Sequence, residues 1–149
     1  MTKKILETKQ ATETDFEYAW SVYKDTIKSH IQPKLKREWL DAKEQEQFRT
    51  VWRPDEAYVI TVDEQRIGWG AAKVSEKEVT IDHFYIEPAH QNKGYGSRLT
   101  SELLKRWKEE GRTVYANVLK DPRVQAFAQR LGFANVRDDE LTHLMQFEQ

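Results

Sequence analysis

Phe84-Tyr85-Ile86-Glu87-Pro88-Ala89-His90-Gln91-Asn92-Lys93-Gly94-Tyr95-Gly96-Ser97-Arg98-Leu99 is the stretch on which the reading of this chain turns. It passes from an extended apolar run, ended by Pro88, into an amphipathic helix that begins near Gly94. Two glycines in a strand-to-helix turn let the backbone come close to a bulky object. The N–H groups at the helix start then point at that object, which favours an anion such as a phosphate.

Upstream, the pattern is of strands. Ala57 to Val62, Arg66 to Val74 and Val79 to Ile86 are three consecutive runs rich in β-branched and aromatic residues, joined by the polar turns Asp63-Glu64-Gln65 and Ser75-Glu76-Lys77. Before them, Ile5 to Ala11 predicts a short first strand, and Thr12-Glu13-Thr14-Asp15 offers N-caps for a helix with an apolar stripe at Phe16, Trp20, Tyr23, Ile27 and Ile31. Gln32-Pro33 breaks that helix. Leu35, Trp39, Phe48, Val51 and Trp52 predict a second one, ending before Arg53-Pro54.

Downstream, Leu99, Leu103, Leu104 and Trp107 mark one face of the helix, and Gly111 ends it. Thr113 to Leu119 predicts a strand. Asp121-Pro122 opens a last helix with Val124, Phe127, Ala128 and Leu131 inward, closed by Gly132. Val136, and Leu141 to Phe147, supply two final strands. The expected fold is α/β (α+β) in the order β-α-α-β-β-β-α-β-α-β-β, a mixed sheet with helices on both faces, in a single domain over residues 1–149. The unit around the glycine turn is expected to be a right-handed parallel crossover.

Bulk properties narrow the function. The 24 basic and 25 acidic residues nearly balance, which argues against a nucleic-acid binder working by bulk attraction. Mean hydropathy is −0.85, yet five tryptophans are hard to reconcile with disorder. With no cysteine, a thiolate metal site, a disulfide and a cysteine nucleophile are all excluded, and no metal is expected. Lys3-Lys4 is followed by no long apolar stretch, so neither signal peptide nor membrane span is read, and the cytoplasm is the expected location.

A Rossmann fingerprint would need glycine where Leu99 stands, and would follow a first strand rather than a third. A P-loop would need G-K-[ST]. The segment Phe84 to Gly96 instead closely resembles the acetyl-CoA motif of the GNAT superfamily of N-acetyltransferases: apolar strand, proline, then Q/R-x-x-G-x-G/A and a helix. Leu131-Gly132-Phe133 resembles that family's late L-G-F signature, and Ala11 to Asp15 its common opening. The resemblance implies acetyl-CoA as cofactor. Its pyrophosphate would be held by backbone N–H groups of Gln91, Asn92, Lys93, Gly94, Tyr95, Gly96 and Ser97, with Lys93 and Arg98 adding charge at the rim. The pantetheine arm would lie along Phe84, Tyr85 and Ile86 like an added strand, with Phe127 of the last helix also on the cofactor side. The parallel strands there are expected to splay.

Acetyl transfer to an amine needs a base, and the family often places one on the strand before the glycine turn. Thr80 and Asp82 share that alternation class here; Asp82 is the ionisable one and the first candidate. His83 has the better intrinsic pKa but faces the other way unless the strand bulges. The bland readings are a structural histidine and an Asp82 paired with a lysine. Asn117, where some relatives carry a carboxylate, can bind water or substrate but cannot be a base. The family's thiolate-protonating tyrosine is replaced by Ala128, and the usual asparagine before that helix by the Asp121-Pro122 region. Water, Tyr85 or Tyr115 would then protonate the thiolate, or catalysis is weak.

Trp20, Tyr23, Trp39 and Trp52 read first as core, with one or two of them, Trp20 and Tyr23 foremost, walling an acceptor pocket; Trp69, between Gly68 and Gly70, is expected to line the same cleft. The charged run from Lys34 to Arg49 reads as a solvated helix face. The expected acceptor is a primary amine of a small molecule or peptide, and the protein a monomer or homodimer. The alternative is a catalytically weak or inactive acyl-CoA-binding or partner-binding module on the same fold, which Ala128 and Asn117 favour.

Overall fold

The computed structural model describes residues 4–34 and 38–148, without the side chains of 29, 30 and 34. In chain order it contains β1 (Leu6–Gln10), α1 (Phe16–Ile31), α2 (Asp41–Val51), β2 (Ala57–Val62), β3 (Gln65–Val74), β4 (Glu78–Ile86), α3 (Tyr95–Glu109), β5 (Thr113–Leu119), α4 (Pro122–Leu131), β6 (Phe133–Asp138) and β7 (Thr142–Phe147). This is the element order expected from the sequence. The strands hydrogen-bond in the order β1-β2-β3-β4-β5-β7-β6, a mixed sheet. The chain divides into two compact units, one of Met1–Ala71 with Phe84–Gln91, the other of Ala72–His83 with Asn92–Gln149.

In the first unit, β1, β2 and β3 pair antiparallel in succession. A 3-10 turn at Glu13–Asp15 leads into α1, and a capping box closes it: the Thr12 N–H donates to the Asp15 carboxylate at 2.8 Å. The apolar stripe of α1 meets α2 and β3 in an aromatic core. Phe48 stands 4.8 Å from the Tyr23 ring, 5.7 Å from Phe16 and 5.8 Å from Trp69, and Trp69 packs edge-on to Trp52 at 5.5 Å. Tilted and edge-on pairs of this kind suit the ring quadrupole and add to the gain from burial.

The second helix starts later than the sequence pattern suggests. Its first residue is Asp41, so Trp39 lies outside it, and Leu35 lies outside the described residues. The reason is local: Leu40 is extended, and the Trp39 indole N–H donates to Asp41 at 2.7 Å across the helix start. The Trp39 side chain is thus buried without being helical. Apolar spacing alone cannot separate these two ways of burying a ring.

The β2–β3 turn places Asp63 and Glu64 in left-handed conformations, φ 49° and 71°. The Asp63 side chain repays that strain by accepting the Ile5 N–H at 2.9 Å. Gly68 has a different reason to be glycine. A Cβ there would lie 2.1 Å from the carbonyl oxygen of Tyr85, so the approach of β4 excludes any side chain.

In the second unit, β4 and β5 run parallel on either side of α3 in the chain, from Glu78↔Thr113 to Ile81↔Ala116. β5 pairs antiparallel with β7, and β7 with β6, where a bulge between Asn135 and Arg137 interrupts the register. Val79, Val114 and Met145 are fully buried, and Leu99, Leu104 and Trp107 bury one face of α3. Asp121 caps α4 by accepting the Arg123 N–H at 2.8 Å, and Gly132 ends it at φ 110°.

Gly68→Ala is expected to destabilise the fold by about 1–3 kcal/mol, since the contact is with backbone that cannot swing aside. A urea titration with an unchanged m-value and a lowered midpoint would show it; an unchanged midpoint would mean that β3 and β4 do not approach as described.

Candidate active site

The glycine turn is built from left-handed backbone. Asn92 has φ 63° and Gly94 φ 81°, and Gly94 is the N-cap of α3. The first intrahelical bond runs from the Arg98 N–H to the Gly94 carbonyl at 3.0 Å. The N–H groups of Tyr95, Gly96 and Ser97 therefore have no acceptor within the helix, and a glycine cap offers no side chain to take one. A Cβ at Gly94 would meet nothing within 4 Å. Conformation, not crowding from the protein, is what asks for glycine there. A row of N–H donors at the positive end of a helix of 15 residues, bordered by open space, is suited to an anion.

Gln91 departs from expectation. Its N–H is already directed to the Pro88 carbonyl, at 3.3 Å, within a 3-10 turn at Pro88–His90. Its side-chain amide donates to the Ile86 carbonyl at 2.8 Å. Gln91 thus shapes the loop from within, and the donors left to a ligand begin at Asn92.

Phe84, Tyr85 and Ile86 are likewise not equivalent. The Glu87 N–H donates to Ile67 of β3 at 2.7 Å. Backbone groups alternate sides along a strand, so Tyr85 shares the β3 side with Glu87, whereas Phe84 and Ile86 turn the other way. The register of β4 with β5 stops at Ile81↔Ala116, although β4 continues to Ile86. Phe84 and the Ile86 N–H thus lie on the side of β4 away from β3. The Tyr85 ring itself is committed to packing, 5.3 Å from Trp69 and edge-on to Tyr23 at 5.7 Å.

Where the β4–β5 ladder ends, side chains take over. The Asn117 amide donates to Asp82 at 2.9 Å, and the Lys73 ammonium lies 3.6 Å from the other oxygen of the same carboxylate. Asp82 is thus a structural bridge and an ion-pair partner. Tyr115 and Asn117 share one face of β5 by alternation, and Tyr115 stands in register with Thr80. Val114, Ala116 and Val118 form the buried face.

Alternation is not regular along the whole of the β3–β4 pairing. Lys73 and Trp69 lie an even number of residues apart on β3 and meet Asp82 and Tyr85, which lie an odd number apart on β4. The parity therefore changes somewhere between these two contacts. Burial lowers the His83 pKa, with Lys73 adding to the effect and the neighbouring Asp82 charge opposing it. The imidazole is therefore neutral near pH 7.

Trp69 does not line a cleft. It is 1% exposed, and its indole N–H donates to the Ala19 carbonyl of α1 at 3.0 Å. Trp20 is also core. An amphipathic stripe and a pocket wall use the same residue types, so sequence could not separate them. Tyr23 and Phe127 are half-buried and Asn117 is exposed, while Ala128 is buried. Two partners were not named by the sequence. Lys73 meets Asp82 only because β3 returns beside β4. The Tyr18 hydroxyl meets Glu87, at 2.6 Å, across 69 residues of chain.

A sequence model of the Acetyltransferase (GNAT) family matches residues 13–133. Among curated proteins, no sequence matches. Among solved structures, the paia N-acetyltransferase of Thermoplasma acidophilum in complex with coenzyme A has 18% identity and a TM-score of 0.77 over 97% of this chain and 99% of its own. The ribosomal-protein-S18-alanine N-acetyltransferase of Escherichia coli has 14% identity and a TM-score of 0.65 over 95% and 90%. The N-acetylglutamate synthase of Neisseria gonorrhoeae, complexed with coenzyme A and L-arginine, has 20% identity and a TM-score of 0.62 over 97% of this chain and 33% of its own. Likeness at these identities is likeness of fold.

The His83 pKa has a consequence for stability. Because the folded value lies below the ordinary 6.5, the unfolded chain takes up the proton first as pH falls. Stability contributed by neutral His83 is present above that ordinary value and is lost as pH drops toward the folded one. Melting temperatures measured from about pH 7.5 down to about pH 5 should fall less steeply for His83→Gln than for the unaltered chain. Parallel curves would mean that His83 is not buried as described.

Proposed function

Since the chain belongs to the GNAT acetyltransferase family, we propose that it transfers an acetyl group from acetyl-CoA to a primary amine of a small molecule or peptide. The observation that carries the reading is the start of α3: a left-handed glycine cap, open space above it, and helix N–H groups without internal acceptors. The donors for the pyrophosphate are the N–H groups of Asn92 to Ser97, and Lys93 adds charge. Phe84 and the Ile86 N–H receive the pantetheine arm as an added strand, and Phe127 lies on the cofactor side. The cofactor, when bound, supplies an acyl carbon activated as a thioester.

His83 is the base in this reading. Its neutral imidazole takes the proton of the acceptor amine, directly or through a water. Asp82, fixed between Lys73 and Asn117, acts through its charge on that imidazole. Tyr115, on the Asn117 face, is the candidate acid for the thiolate, with water as its substitute, because Ala128 offers no hydroxyl. Tyr23 is the residue of the aromatic stripe left to border the acceptor. Ala128 also sustains a second reading, that of a non-catalytic acyl-CoA-binding module on the same fold. The two part company on turnover: the enzyme releases free thiol with at least one amine in a diverse panel, and the binding module with none.

His83→Gln is expected to lower turnover by about 10²–10⁴-fold while leaving coenzyme A affinity unchanged. The rising limb of the wild-type pH–rate profile should lie below His83's ordinary pKa, and Asp82→Asn, by removing a charge that favours the imidazolium, should move it lower still. An unmoved limb in Asp82→Asn would detach Asp82 from the base. Gly94→Asn keeps a residue type that tolerates φ 81° but places a side chain above the donors. Its stability should change by no more than about 1 kcal/mol while its coenzyme A affinity collapses. Binding as tight as wild type would remove the turn from the cofactor site.

A further inference from the structure

Ala72, Lys73 and Val74 are the residues of β3 that belong to the second unit, and only Lys73 among them is charged. Its side chain is 66% exposed, so the packing of the strand does not itself ask for a lysine there. What it meets is the Asp82 carboxylate of β4, 25% exposed, at 3.6 Å through Oδ2. The other oxygen, Oδ1, accepts the Asn117 amide of β5 at 2.9 Å. The carboxylate is thus held on one side by a neutral donor and on the other by a cation. Asp82 also precedes His83 in the chain, and its negative charge favours a proton on the imidazole. The Lys73 charge works the other way. Among the neighbouring elements of this unit, β5 presents the phenol of Tyr115 and the amide of Asn117. The third, α3, buries Leu99, Thr100, Leu104 and Trp107, and none of these is a cation or a carboxylate.

We propose that Lys73 is a positioning residue for the base, set against Asp82 to offset the pull of that carboxylate on the His83 imidazole. The inference rests on the reading of His83 given above. A base must meet its substrate without a proton, and two influences on this one oppose each other. Burial favours the neutral ring, because a covered cation loses hydration. The adjacent carboxylate favours the charged ring, and Asn117 cannot cancel it, since an amide carries no net charge. An ammonium beside the carboxylate does what the amide cannot: it lowers the negative potential at the ring. The exposure of Lys73 limits the size of the effect. Water and salt screen an open pair, so its influence on the ring is about half a pH unit. By sequence Lys73 reads as one more solvated strand residue, and only the return of β4 beside β3 sets it against Asp82.

The test follows the ring directly, by NMR titration of the His83 imidazole, and separately follows kcat/KM against pH with an amine that is turned over. The His83 signal is identified by its loss in His83→Gln. Lys73→Met keeps a stem of similar length and removes the ammonium. It should raise the titration midpoint of the ring by about half a unit and move the rising limb of kcat/KM by the same amount. Acid-side activity then falls about threefold relative to the alkaline plateau. Lys73→Arg restores a cation and should return both midpoints to their wild-type values. Adding Asp82→Asn to Lys73→Met should bring the ring midpoint back to the wild-type value or below, because the charge that Lys73 offsets is then gone too. A ring midpoint unmoved by Lys73→Met, moved equally by Lys73→Arg, or still raised in the double variant would overturn the proposal and leave Lys73 as a surface ion pair. Should Lys73→Met not fold, Lys73→Gln is read by the same criterion. A ring midpoint that moves while the limb of kcat/KM stays puts the base elsewhere. The reading of His83 then falls and takes the proposal with it, as it does if no amine is turned over.

Discussion

Backbone N–H and C=O groups must be bonded, so a strand that leaves its neighbour has to place them elsewhere. β4 leaves β5 after four register pairs, at Ile81↔Ala116, and much of the local chemistry follows from how it does so. The Asn117–Asp82 hydrogen bond spans the last step, where side chains continue what the backbone ladder has stopped doing. Farther along, the Ile86 carbonyl finds the Gln91 amide, and the Glu87 N–H finds Ile67.

The second constraint is conformational. A strand that must feed a helix within a few residues turns back through left-handed positions, here Asn92 and Gly94. Once Gly94 caps α3, helix geometry leaves the next three N–H groups without acceptors, whatever the side chains are. The row of N–H donors is thus a by-product of how this helix begins. Nothing comparable enforces His83 and Asp82. His83 is partly covered and Asp82 is held by Lys73 and Asn117, and each depends on where a separate strand happens to run.

Legibility in the sequence follows the same division. The element order, the parallel crossover around α3, the cap at Asp121 and the stops at Gly111 and Gly132 are carried by local chemistry: turn residues, caps and apolar periods acting over a few positions. The glycine turn and its family likeness are equally local. The start of α2 was not legible, because Trp39 satisfies an apolar period while standing outside the helix and bonding to Asp41. The same ambiguity makes Trp69 and Trp20 look like pocket residues when they are core.

The sequence by itself determined the order of strands and helices, the turn that presents N–H donors, and the absence of a hydroxyl at Ala128, since each depends on residues within a turn or two of one another. Tertiary structure alone decided that Gln91 is an internal strut rather than a backbone donor, that Asp82 is held by Lys73 and Asn117, that burial keeps His83 neutral, and that Tyr18 tethers Glu87. Those outcomes depend on which strand lies beside which and on how deeply a ring is covered. Hydrogen bonds and desolvation act through space, over separations of 35 residues for Asn117 and Asp82 and 69 for Tyr18 and Glu87, and no local pattern records them.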